Sequence, residues 1–296
     1  MDIMKNKNNC YCYNIINNKL YALNRQGKLF TAQKSLKSLA EIYNFSCFNL
    51  ACITYYLNYL IVIGVDGNIY YYSIENNAIE HILELNNTVV TPPVVVDSYL
   101  IVQTDERLVS IHNFKVIASN NDILQHMNMK GISLYKEHII AYKESSLLFL
   151  YPQNLSIINE LNLLPTYIWS KASENDFYIT YHTYGKFIVI DKKSSKIVFS
   201  EPCKNKRNFH NGPIIANKCI IYFDKNSMNI IYPKEKFKVV KYKCWKSVIA
   251  VFILDDNLFF IRKNRILRFN LNSCKYFKKD SLSVLLNQYK KDGLNE

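Results

Sequence analysis

Glycine and tryptophan are scarce in this chain, 7 and 2 of 296 residues. Neither a P-loop nor a dinucleotide fingerprint is present, and the nucleophile elbow G-x-S-x-G and the zinc motif H-E-x-x-H are missing as well. No C-x-x-C pair occurs among the cysteines at 10, 12, 47, 52, 203, 219, 244 and 274, which removes the common zinc frameworks. Cys10 and Cys12 fall on one face of an expected strand, and the cysteines as a set read as packed free thiols. Six histidines, at 81, 112, 126, 138, 182 and 210, are dispersed along the chain. His112 ends an expected strand and reads as a packed or surface residue. The acidic residues fall mostly in turns, and no convergent pair of carboxylates is legible. The longest apolar runs, such as residues 57–65, are too short to span a bilayer.

What is abundant points to strands. Aromatic residues make up 14% of the chain, with 23 Tyr and 16 Phe, and such side chains favour β-structure. Hydrophobic residues reach 49%, enough for a sizeable core. The formal net charge is +13. The basic residues are scattered, with short runs at 204–207, 234–243 and 275–279 and no long stripe, so they read as solvated surface. No RNP, zinc-finger or helix-turn-helix pattern appears, and no nucleic-acid partner is expected. The opening residues MDIMKNKNNCYCY carry no apolar stretch of a signal peptide, and Cys10 after KNKNN does not read as a lipid-attachment site.

The dominant feature is an internal repeat. The stretch TPPVVVDSYLIVQTDERLVSIH at 91–112 reads as three short strands separated by turns. The phrase LVSIH at 108–112 has counterparts in LYALN at 20–24, IYYYS at 69–73, LLFLY at 147–151, FIVID at 187–191, MNIIY at 228–232 and ILRFN at 266–270. Their starts at 20, 69, 108, 147, 187, 228 and 266 are spaced 49, 39, 39, 40, 41 and 38 residues. Each follows a turn such as VDGN, TDER or TYGK, and an apolar strand precedes each turn. An earlier strand and a weaker fourth one complete the unit, with KLFT at 28–31, KIVF at 196–199 and CKYF at 274–277 as fourth strands. Four antiparallel strands in about 40 residues cannot bury both faces alone, whereas radial repetition lets each sheet cover its neighbour. The expected fold class is therefore an all-β β-propeller of four-stranded antiparallel blades, with seven or eight blades. It occupies 1–296 as one domain, with 278–296 as a C-terminal tail.

The first spacing is about ten residues longer than the rest, and SLKSLAEIY at 35–43 places Leu36, Leu39 and Tyr43 at helical spacing. A short helical insert, or otherwise a loop, is expected there. Blade one reads as beginning late, at 10–16, and as lacking its first strand, which the apolar tail at 281–286 is suited to supply.

Gly-His and Trp-Asp dipeptides and paired glycines are absent, which argues against WD40 and kelch repeats. The phrases TPPVVVDSYLIVQTDERLVSIH, NGPIIANKCIIYFDKNSMNII and NKLYALNRQGKLF resemble the quinoprotein-type (PQQ-like) repeat. The order of 162–191, then NGPIIANKCIIYF, then VIAVFILDDNLFFIRKNRILRFN, is similar to the later blades of the BamB-like propeller lipoproteins of the outer-membrane β-barrel assembly machinery. The resemblance covers roughly residues 18–277. It implies a non-catalytic, protein-binding scaffold, a monomer within a complex, at the periplasmic face of the outer membrane. The implied partners are the periplasmic domains of the central barrel-assembly subunit. Membrane contact is implied only indirectly or through a lipid anchor. In the family an interblade loop with a proline followed by apolar positions and a basic residue meets the partner. On that pattern Tyr167 and Trp169 take the apolar positions, and Lys171 is the basic residue one place late, Ser170 holding the family's arginine position. A second family contact falls at Asn208 and His210, which are not acidic, and is not carried over. Alternatives are a cytoplasmic propeller scaffold and a degenerate PQQ-dependent dehydrogenase. The latter needs a tryptophan-rich docking ring and a calcium-binding acidic set, neither of which the sequence shows. No cofactor is expected.

Overall fold

The computed structural model describes residues 10–16, 19–32, 39–45, 50–121, 132–135, 137–143, 146–162, 172–183, 185–203, 212–216, 218–224, 227–243, 248–254, 256–262 and 265–277. These form seven four-stranded antiparallel sheets, each a simple meander in chain order, and the fold class is a seven-bladed β-propeller. Blade one is β1 (Cys10–Ile16), β2 (Lys19–Asn24), β3 (Lys28–Ala32) and β4 (Ala40–Asn44). Blade two is β5 (Leu50–Tyr56), β6 (Tyr59–Gly64), β7 (Asn68–Ser73) and β8 (Ala78–Glu84). Blade three is β9 (Val94–Val96), β10 (Tyr99–Gln103), β11 (Leu108–His112) and β12 (Lys115–Asn120). Blade four is β13 (Ser133–Tyr135), β14 (His138–Lys143), β15 (Ser146–Leu150) and β16 (Ile157–Asn162). Blade five is β17 (Ser173–Glu174), β18 (Tyr178–Thr183), β19 (Lys186–Asp191) and β20 (Lys196–Pro202). Blade six is β21 (Ile214–Ile215), β22 (Ile220–Asp224), β23 (Ser227–Tyr232) and β24 (Lys238–Lys243). Blade seven is β25 (Val248–Leu254), β26 (Asn257–Arg262), β27 (Arg265–Asn270) and β28 (Lys275–Phe277). Among the described residues the single helical element is a 3-10 turn, Pro233–Glu235.

Burial explains why the repeat is written in apolar runs. The second and third strands of a blade are covered on both faces, so all five residues of β15 are buried and β11 is buried at Leu108–Ile111. Alternate residues then face opposite neighbours. Ile139, Ala141, Leu148 and Leu150 pack with Val94, Val96, Ile101 and Leu108 of blade three. Ile140, Leu147 and Phe149, one step out of phase, pack with Ile179, Tyr181, Ile188 and Ile190 of blade five. Phe187 and Val189 in turn pack on Ile220, Tyr222 and Ile231 of blade six. Each such side chain contributes about 1.5–3 kcal/mol when fully buried. The fourth strands have one free edge and are largely exposed, as in β12 and β20.

The strands fall into two compact units. One combines Met1–Ile82 with Ser247–Glu296, and the other is Leu83–Lys246. In the first, β1 lies against both β5 and β25. In the second, β13 meets β9 and β17, and β17 meets β21. First strands thus pack on first strands. Polar bonds add to the apolar seams: Asn14 Nδ2 donates to Ile53 O at 3.1 Å, and Ser110 Oγ to Pro152 O at 2.5 Å.

Blade one departs from the sequence reading. Its first strand is present, because Cys10–Ile16 pairs along β2. LYALN at 20–24 is therefore the second strand, and KLFT at 28–31 belongs to the third rather than the fourth. Gly27 and Gly67 show the true register: both have φ in the left-handed region, 79° and 89°, and both close a turn by donating N–H to the residue three before, Asn24 and Gly64. Leu29 then aligns with Ile69, 40 residues on, and the long first spacing disappears. The expected helical insert is also corrected over its described part. Residues 40–43 lie in β4, where Tyr43 pairs with Leu29 and Ala40 with Thr31. Residues 35–38 and 281–286 lie outside the described residues.

Candidate functional site

The residues singled out for partner contact, Tyr167, Trp169 and Lys171, lie outside the described residues, as do Asn208 and His210. Among the described residues no three His, Cys, Asp or Glu side chains are grouped to hold a metal ion. Among the described residues Cys12 and Cys52 are free thiols, and burial pushes the Cys12 thiol up to about 11. His112 is half-buried, its Nδ1 2.9 Å from Ser98 O and its ring against Tyr99, which fits the packed role expected of it.

What the structure assembles instead lies in blades five and six. The Phe187 ring stacks on Tyr222 at 4.2 Å between centroids, and His182 sits beside both at 5.3 and 6.0 Å. Burial lowers the His182 pKa to about 4, with Asp224 opposing the shift, so the imidazole is neutral near pH 7. Tyr222 Oη donates to Glu201 Oε2 at 2.6 Å, and Lys241 Nζ donates to Glu201 Oε1 at 2.8 Å. Burial opposes ionisation of Glu201, yet the bonds from Lys241 and Tyr222 outweigh it and hold the carboxyl below its usual range. Burial, reinforced by Glu201, raises the Tyr222 hydroxyl.

Above this packed layer the turns are tied together. Lys192 N donates to Phe177 O at 2.9 Å, and Lys192 Nζ donates to Asn175 O at 3.2 Å while pairing with the buried carboxylate of Glu174. The first and last turns of blade five are thereby locked. The Phe237 ring of blade six reaches Tyr178 at 5.9 Å and stacks on Phe199 at 5.7 Å. Lys236 and Phe237 both have positive φ, 55° and 58°, which fixes a tight two-residue turn between the 3-10 turn and β24. These groups are not legible in the sequence, because they stand far apart in the chain and meet only through blade packing.

No family model matches the chain, and no curated protein matches it. Solved structures do. BamB from Moraxella catarrhalis aligns with a TM-score of 0.66 at 10% identity, over 91% of this chain and 84% of that one. The computationally designed Ika8 protein aligns at 0.62 with 6% identity, over 91% and 99%. KlHsv2 with loop 6CD replaced by a Gly-Ser linker aligns at 0.61 with 9% identity, over 90% and 95%. At these identities the likeness is one of fold: this chain is a β-propeller whose structural neighbours include BamB.

Proposed function

We propose that the chain is a non-catalytic, protein-binding propeller that serves as a BamB-like subunit of outer-membrane β-barrel assembly, at the periplasmic face of that membrane. The observation that carries the reading is the alignment with BamB over 91% of the chain, taken with the PQQ-like order of phrases in the later blades. The packing is consistent with a docking role. The charged and aromatic groups of blades five and six brace turns and neighbouring blades, and they leave a rigid set of exposed turns for other proteins.

The test is binding of the full chain to the isolated periplasmic domains of the central assembly subunit from the same organism, by isothermal titration calorimetry. Saturable binding is expected. Replacing Tyr167 and Trp169 together by Ala is expected to weaken it about tenfold or more, at an unchanged melting temperature. Absence of binding overturns the reading. So does stoichiometric uptake of pyrroloquinoline quinone with calcium accompanied by oxidation of an alcohol.

A further inference from the structure

One end of blades five and six carries a surface that the interblade loop does not account for. Phe177 is 67% exposed, more than any other large apolar side chain among the described residues. Its own backbone is fixed by the bond from Lys192 N. The rings next to it in the aromatic series, Tyr178, Phe199 and Phe237, are packed on one another and half-buried. Phe177 is therefore an apolar knob on a rigid base.

Around this knob the turns are basic. Lys193 and Lys196 flank the last turn of blade five, and Lys234, Lys236 and Lys238 occupy the corresponding turn of blade six, all exposed. The acids of the same turns are mostly engaged internally. Asp191 accepts from the N–H and hydroxyl of Ser194, both at 2.7 Å, and Glu235 pairs with Lys238 at 3.3 Å. Among the described residues no carboxylate is paired with Lys196, Lys234 or Lys236. Three exposed lysines thus stand at the ends of blades five and six where Phe199 and Phe237 stack beside Tyr178, the neighbour of Phe177.

We propose that this end of blades five and six docks an acidic peptide segment of a partner protein. An apolar residue of the segment seats against Phe177, and its carboxylates meet Lys196, Lys234 and Lys236. The inference rests on the protein-binding reading above and gives the partner its chemistry. Opposite charge sets the encounter and the register. The turns are already ordered, so little conformational freedom is lost on binding. A lipid surface fits less well, because Phe177 with the part-exposed Ile197 and Val198 of β20 offers only a small apolar area to bury among acyl chains.

The experiment is fluorescence anisotropy of a labelled synthetic peptide, rich in Glu and Asp with one central Leu, titrated with the full-length protein. A peptide with Lys at every acidic position is the comparison. The acidic peptide is expected to bind, more weakly as salt is raised, and the lysine peptide is not. Phe177→Ser, and separately Lys234→Glu with Lys236→Glu, each weaken binding about tenfold or more, while Lys115→Glu on β12 leaves it unchanged. Circular dichroism establishes that every variant is folded. Failure of the acidic peptide to bind folded wild-type protein overturns the proposal, and so does equal binding by the variants. Preferential binding to phosphatidylcholine–phosphatidylglycerol vesicles, with none to the peptide, overturns it in favour of a lipid surface. If the assembly-subunit domains bind and the peptide does not, the surface is wrong and the function stands. If the peptide binds and those domains do not, the function is wrong and the surface stands.

Discussion

The rings of Phe187 and Tyr222 lie 4.2 Å apart at an interplanar angle of 6°, and they join β19 of one blade to β22 of the next. The Tyr222 hydroxyl continues the join by donating to Glu201, which Lys241 also holds. Stacking and hydrogen bonding therefore meet in one side chain, and truncation separates them. Tyr222→Phe keeps the stack and loses one bond to a charged acceptor, at an expected cost of about 1.5–3 kcal/mol. Tyr222→Ala loses the ring as well and is expected to cost about 4 kcal/mol. Urea unfolding monitored by circular dichroism ranks the two. Equal destabilisation by both is the result that rules out a contribution from the stack.

His182 makes the same seam sensitive to acid. Its folded pKa is depressed to about 4 from an ordinary 6.5, chiefly by burial. Well above pH 6.5 it is uncharged in both states and contributes no pH dependence. Between about pH 6.5 and 4 the unfolded chain takes up the proton and the folded one does not, so stability falls as pH falls. The loss from this group approaches about 3 kcal/mol at the lower end. His182→Gln is expected to remove that part of the slope, whatever it does to stability at pH 7. Unfolding free energies measured at several pH values test this, and an unaltered slope in the variant is the contrary result.

Gly27 and Gly67 hold equivalent turns with positive φ. In the first turn Asn24 Oδ1 also accepts from Gln26 N at 3.0 Å and Lys28 N at 2.9 Å. A Cβ is strained in this conformation, so Gly27→Ala and Gly67→Ala are each expected to cost about 1–2 kcal/mol. Asn24→Ala, which removes two backbone-capping bonds, is expected to cost about 1–3 kcal/mol. Thermal unfolding of the three variants checks this, and a Gly27→Ala protein as stable as wild type contradicts it.

These turns also show what was legible in the sequence. The blade period was, because strands such as β11 and β15 are buried on both faces and so appear as short apolar runs between turns. The register of blade one was not. LYALN ends in Asn and imitates a third strand, while Leu36, Leu39 and Tyr43 imitate a helix. The pairing of Tyr43 with Leu29, and its ring contacts with Phe45 and Tyr72, come from β-structure that a local period cannot reveal. The turn glycines were the available signal, since Gly27 precedes KLF as Gly67 precedes NIY. The surface around Phe177 was illegible for a different reason. Phe177 and Lys236 are nearly sixty residues apart in the chain, and the lysine run at 234–243 shows no facing in sequence alone.

Lys192 and Glu174 supply the last prediction. The Glu174 side chain is fully buried and Lys192 is its cation, while the same ammonium group caps Asn175 O. Removing the lysine leaves a buried carboxylate without that charge, a change that costs about 3–5 kcal/mol where such pairs are broken. Lys192→Met is therefore expected to destabilise the protein by about that amount. Adding Glu174→Gln to it removes the stranded charge and is expected to recover about half of the loss. Chemical denaturation of the two single variants and the double variant completes a mutant cycle, whose interaction energy isolates the pair. A double variant whose loss equals the sum of the single losses shows that the two side chains act independently, and that result overturns the account of how the turns of blade five are locked.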